Sequence, residues 1–156
     1  MLFRSTAAQL TLHEADALRF DYARLGQDLR IVGNLPYNVS TPLLFVLADV
    51  ANQVKDMHFM LQREVVDRMA AAPDTEAYGR LSVALQRRFH VERLFQVAPG
   101  SFRPPPKVES AIVRLIPRPH DQLVAVDDAL FQRIITQAFS ARRKTLRNAQ
   151  IGRAHV

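Results

Sequence analysis

Leu29-Arg30-Ile31-Val32-Gly33-Asn34-Leu35-Pro36-Tyr37 is a β-branched apolar run that stops at an Asn-Leu-Pro-Tyr corner, and its reading decides the fold. The continuous stretch Leu29–Gly33 suits a strand buried on both faces, as the strands of a parallel sheet are. Beyond the corner, Ser40 offers an N-cap with Pro42 in the first turn, predicting a helix to about Val50. Asp56 to Leu61 (DMHFML) predicts another strand, followed by a helix over Arg63 to Ala72 that Pro73 stops. Strand, helix, strand, helix with short connections is the α/β pattern, because parallel strands need such crossovers.

Upstream, Gln9 to His13 alternates apolar with polar and predicts a strand that empties into the acidic loop Glu14–Ala17. Downstream, Arg80 to Phe89 has helical spacing, with Leu81, Ala84, Leu85 and Phe89 on one face. Val91 to Val97 and Ser110 to Ile116 then read as an antiparallel strand pair joined by a loop carrying Pro104-Pro105-Pro106. Pro117 to His120 marks a linker, Asp127 to Phe139 a helix, and Arg142 to Ala149 a basic second helix that opens a helical appendage.

The 156 residues suit about one domain. Zero cysteines exclude disulfides, thiol catalysis and cysteine-bound metals, and a cytoplasmic home is the default expectation. No apolar run approaches the roughly 20 residues of a membrane span. His13, His58, His90, His120 and His155 lack metal-ligand spacing, so no metal is expected. Twenty-one Lys and Arg against fifteen Asp and Glu leave a charge of +6. Its clustering, with Arg103 and Lys107 flanking the prolines and Arg142, Arg143, Lys144 and Arg147 crowded together, favours phosphate contacts over a scattered solvated surface.

Leu2–Ser5 and Ile151–Val156 can be encoded by one DNA string read in opposite senses, and that string resembles a sequencing adapter. Residues 1–5 and 151–156 are therefore read as non-natural ends.

In an open α/β sheet the ligand crevice lies at the carboxyl ends of the strands, where Asp16 and Asn34–Tyr37 would both open. Asn34 has a side-chain carbonyl, and the residue before a proline is held extended, which turns the Leu35 carbonyl outward. Two adjacent acceptors can grip an NH2 group, and Tyr37 adds an aromatic face for a base taken from its stack. By residue type alone the same corner also reads as a strand-terminating turn, Asp16 as a loop cap and Phe102 as a core aromatic.

Gly33-Asn34-Leu35-Pro36-Tyr37-Asn38-Val39-Ser40-Thr41-Pro42-Leu43-Leu44, Met60-Leu61-Gln62-Arg63-Glu64-Val65, Tyr78-Gly79-Arg80-Leu81-Ser82, Phe102 to Ala111 (FRPPPKVESA) and Arg142 to Asn148 (RRKTLRN) together resemble the KsgA family of small-subunit ribosomal-RNA adenine dimethyltransferases. The resemblance spans nearly all of Leu10 to Ala149. It implies the C-terminal part of a Rossmann-like S-adenosylmethionine-dependent methyltransferase sheet, at residues 6–117, followed by the start of a small helical domain at 118–150. It implies transfer of methyl groups from S-adenosylmethionine to the exocyclic amine of two adjacent adenosines in small-subunit rRNA, in an enzyme that is a monomer when full-length, with the immature small ribosomal subunit as partner and neither membrane nor metal.

By the same resemblance, Asn34 and the Leu35 or Pro36 carbonyl accept from the target amine, Tyr37 stacks on the base and Phe102 closes the pocket. Asp16, with Ala17 beside it, and Asn34 meet the cofactor. Arg103, Lys107, Arg142, Arg143, Lys144 and Arg147 meet RNA. The alternatives are a large-subunit rRNA adenine methylase of the macrolide-resistance type and a non-catalytic RNA-binding or ribosome-assembly module. One departure stands out: the glycines at 26, 33, 79, 100 and 152 form no Gly-x-Gly, so the family's cofactor loop is absent and the piece by itself is expected to be inactive.

Overall fold

The computed structural model describes residues 10–36, 38–123 and 126–140. Four strands form one sheet in the order β1-β2-β4-β3: β1 is Leu29–Asn34, β2 Val54–Gln62, β3 Phe89–Val97 and β4 Ser110–Pro117. β1 and β2 are parallel, joined by helix α1 (Ser40–Asp49), while β4 runs antiparallel to both β2 and β3. Since β3 therefore points the same way as β1 and β2, all three send their carboxyl ends to one edge. Helices α2 (Arg63–Met69) and α3 (Arg80–Gln86) cross from β2 to β3, and α4 (Asp128–Ser140) follows the sheet. Among the described residues no helix is long and apolar enough to cross a membrane.

The core lies on one face of the sheet. Met57, Phe59, Leu61, Val113 and Leu115, spaced two apart along their strands, meet Leu44 and Leu47 of α1, Val66 of α2 and Leu81 and Leu85 of α3. Alternation explains what the other face shows. β1 was expected to be buried on both sides; instead Arg30, Val32 and Asn34 are exposed while Leu29, Ile31 and Gly33 are sheltered. Val32 is 74% exposed because the helices that pack on this sheet all take the opposite face. On the open face the buried Asp56 is held by Arg30 of the neighbouring strand at 3.0 Å, with His58 at 3.6 Å.

Several expected boundaries shift. The strand expected at Gln9–His13 does not form over its described part: Leu10 and Leu12 are 67% and 88% exposed, because no neighbouring strand offers its alternating backbone a ladder. Ser40 is not a cap but the first residue of α1, with Val39 at the N-cap, because the Pro36 carbonyl already takes the Val39 and Ser40 N–H groups at 3.2 and 3.1 Å. α2 ends at Met69 rather than Ala72 because the Gln86 side chain donates to the Met69 and Ala71 carbonyls at 2.8 Å each, satisfying the last turn from outside. α3 ends at Gln86, and Phe89 joins β3, where its ring is fully buried.

Helix α4 starts at Asp128, one residue after its expected start, because Asp127 caps it: the Asp127 carboxylate accepts from Leu130 N at 3.0 Å. It lies antiparallel to α3. At one end Asp128 accepts from Arg87 at 2.6 Å and from Arg88, and Phe131 sits under Arg87; at the other, Phe139 meets Tyr78 edge-on. The helix expected at Arg142–Ala149 and both ends read as non-natural lie outside the described residues.

Candidate adenine pocket

The carboxyl end of β1 delivers Asn34, Leu35 and Pro36 to a cavity of about 310 Å³. Its opposite wall is the loop between β3 and β4, which contributes Phe102, Pro104 and Pro106. Met60 of β2 and Ser110 at the start of β4 line it as well. The β ladders explain this company: Asn34 pairs with Met60 across β1 and β2, and Gln62 pairs with Ser110 across β2 and β4. All of these even-numbered strand residues point to the open face, so they converge above it.

The corner itself is anchored from both sides. Leu35 is a core residue, 9% exposed, and its N–H donates to the Met60 carbonyl at 3.3 Å, extending the parallel ladder by one residue past the strand. The Pro36 carbonyl spends both lone pairs on the Val39 and Ser40 N–H groups at the start of α1. Of the two carbonyls considered beside Asn34, that of Pro36 is therefore already engaged. Tyr37 lies outside the described residues.

Phe102 is half-buried, and its N–H closes a turn onto the Pro99 carbonyl at 3.2 Å. Arg103 and Lys107 are exposed on the same loop, outside the cavity lining. Arg142, Arg143, Lys144 and Arg147 lie outside the described residues.

Asp16 and Ala17 are exposed and do not line the cavity. Their turn is nevertheless fixed: Asp16 Oδ1 accepts from Leu18 N at 2.9 Å, and the Tyr22 hydroxyl donates to the Ala17 carbonyl at 3.0 Å. Tyr22 packs against the core, and burial, with the Asp16 charge second, raises its phenol above the ordinary value. Among the described residues Asp16 Oδ2 meets Arg19 alone, at 3.7 Å, which leaves this oxygen able to accept from an added amine.

Met60, Pro104, Pro106 and Ser110 are pocket residues that sequence reasoning did not single out. Met60 reads as strand core in sequence, and only its register opposite Asn34 brings it to the cavity.

With this geometry in hand, comparison with known proteins is decisive: the profile of the family described as "Ribosomal RNA adenine dimethylase" matches residues 3–155. The chain belongs to this family. It is 64% identical over 140 residues to "Ribosomal RNA small subunit methyltransferase A" of Thiobacillus denitrificans, covering 90% of this chain and 55% of the relative. The protein of the same name from Aromatoleum aromaticum is 62% identical over 145 residues, covering 93% and 55%. The chain thus spans about half the length of the curated relatives it matches. Among solved structures, a dimethyladenosine transferase from Plasmodium falciparum superposes with a TM-score of 0.76 at 31% identity, over 88% of this chain and 48% of that one. The 23S rRNA methyltransferase ErmE shares the fold, with a TM-score of 0.68 at 21% identity over 86% of this chain and 53% of that one. The α/β sheet is therefore that of a Rossmann-like methyltransferase.

Proposed function

We propose that this chain carries the target-base half of an rRNA adenine N6,N6-dimethyltransferase, which methylates two adjacent adenosines of small-subunit rRNA during ribosome biogenesis. The observation that carries the reading is the meeting of Asn34, the Leu35 backbone and Phe102 around one cavity of about 310 Å³, a size that accepts a flat purine. Identity of 64% to a protein named for small-subunit rRNA favours this substrate over large-subunit RNA, and an acceptor pair beside an aromatic wall favours catalysis over simple RNA binding.

Asn34 Oδ1 and the Leu35 carbonyl accept the two hydrogens of the exocyclic amine. An adenine amine is a weak nucleophile because its lone pair is delocalised into the ring. Two acceptors placed to one side of it favour the pyramidal form and set the lone pair toward the methyl donor. Phe102 holds the base plane, and Tyr37 is assigned the second face. Arg103, Lys107, Arg142, Arg143, Lys144 and Arg147 neutralise backbone phosphates of the RNA partner.

S-adenosylmethionine, when bound, supplies an electrophilic methyl group on a sulfonium. The residues present fit part of it: Asp16 accepts from an adenine amine through Oδ2, Ala17 flanks it, and Asn34, which lines the cavity, is assigned to the cofactor as well. Residues 6–117 are the partial catalytic domain and 118–150 the start of the helical one.

The test replaces the aligned 140 residues of the Thiobacillus denitrificans protein with those of this chain. The chimera is expected to form N6,N6-dimethyladenosine on unmethylated small-subunit RNA, read by mass spectrometry of nucleosides. Methylation of large-subunit RNA alone, or RNA binding without transfer, would replace this reading with one of its alternatives.

A further inference from the structure

Phe102 reaches the pocket on a loop, residues 98–109, and an exposed loop is a poor place from which to hold a base. The body of this one is stiff. Ser101 N donates to the Ala98 carbonyl at 3.0 Å, Phe102 N to that of Pro99 at 3.2 Å, and Pro104, Pro105 and Pro106 each lock a backbone angle. A stiff loop can still swing about its neck, and a built device sits there. Glu109, the last loop residue, is gripped three ways: its carbonyl accepts from Arg63 N at 2.9 Å, its carboxylate from the Arg63 guanidinium, and the same carboxylate oxygen from Gln96 Nε2 at 2.9 Å. Gln96 belongs to the end of β3, so the bond joins the two roots of the loop. Arg63 directly follows β2, the strand whose Met60 lines the pocket.

The grip continues outward. Arg63 Nε donates to Asp67 at 3.3 Å, and Arg93 of β3 donates to the other oxygen of Asp67 at 2.9 Å. Glu109 first, and Asp67 after it, hold the Arg63 guanidinium above its ordinary value.

Stability alone is a weak reason for this network. Arg63 and Glu109 are 46% and 45% exposed, and exposed ion pairs contribute little to folding. Position is a better one, because a misplacement of 1 Å at a reacting centre costs on the order of 100-fold in rate. Resting on the reading of the cavity as the adenine pocket, we infer that Arg63 and Glu109 are positioning residues that fix the 98–109 loop, and with it Phe102, against the Asn34 side of the pocket.

Two measurements test this. In the full-length chimera, Arg63→Ala and Glu109→Ala should each lower kcat for RNA methylation about 10- to 100-fold, with the KM for RNA and cofactor affinity within about twofold. The exchanged pair, Arg63→Glu with Glu109→Arg, should recover most of the loss. In this chain itself, Glu109→Ala should speed amide hydrogen exchange across residues 98–109 by about tenfold while leaving β1 and β2 unchanged. Single variants with the parental kcat, a loss confined to the KM for RNA, or loop exchange equal to the parent's would each overturn the inference. If the unsubstituted chimera transfers no methyl group, the adenine-pocket reading falls instead, and hydrogen exchange alone decides whether the pair holds the loop.

Discussion

A methyl group placed on Gly33 would stand 3.0 Å from Cδ2 of Leu35 and 3.5 Å from Cδ1 of Phe59. The last residues of β1 are therefore packed to contact on the covered face while Asn34, between them, looks into the pocket from the open one. Gly33→Ala should lower the free energy of urea unfolding by about 1 to 3 kcal/mol, the usual cost of overpacking. An unfolding midpoint equal to the parent's would mean that Leu35 yields freely and does not anchor the corner.

Asn34→Ala in the full-length chimera should reduce kcat about 100-fold, as loss of one preorganised polar contact to the reacting group does, with the Kd for RNA changed less than twofold. Steady-state methylation and a binding titration separate the two. A variant that turns over at the parental rate would remove Asn34 from the chemistry.

Arg103 and Lys107 are exposed on either side of the prolines and, among the described residues, make none of the ion pairs that occupy Arg63, Arg87, Arg88 and Arg93. Replacing both with Ala should weaken RNA binding at all sequences alike and flatten the log–log salt dependence by up to about two units. A salt slope that stays at the parental value would assign them to the solvated surface.

Asp128 joins α4 to Arg87 and Arg88. The Arg87 hydrogen bond, and after it Arg88, holds the carboxyl below its ordinary value even though partial burial opposes this. A group depressed in the folded state adds stability above its unfolded pKa, near 4, and loses it as pH falls through the lower folded value. Asp128 is 56% exposed, so the contribution is about 1 kcal/mol or less. Melting this chain and Asp128→Asn side by side should show a lower Tm for the variant at pH 7 and a gap that closes as pH falls through the lowered folded value. A gap independent of pH would mean that the contact is not ionic.

Much of the architecture is legible locally. The run Leu29–Gly33 forms its strand and the corner at Asn34–Pro36 stops it, because strand periodicity and proline geometry each depend on a few adjacent residues. The candidate site was half legible: Asn34 and Leu35 stand out by chemical type and Phe102 through the family resemblance, whereas Met60 and Ser110 look like any strand residues.

Sequence by itself determined the α/β pattern, the Asn34–Pro36 corner that ends β1 and the basic, cysteine-free character of the chain. Tertiary structure decided the rest: β4 enters between β2 and β3, Gln86 cuts α2 short, and Glu109 meets Arg63 across 46 positions. Register was decisive. Side chains in a strand alternate faces, so which residues gather around Asn34 depends on how strands distant in sequence align. No local pattern carries that alignment, because it is set by the packing of Phe59, Leu61 and Val113 beneath the helices.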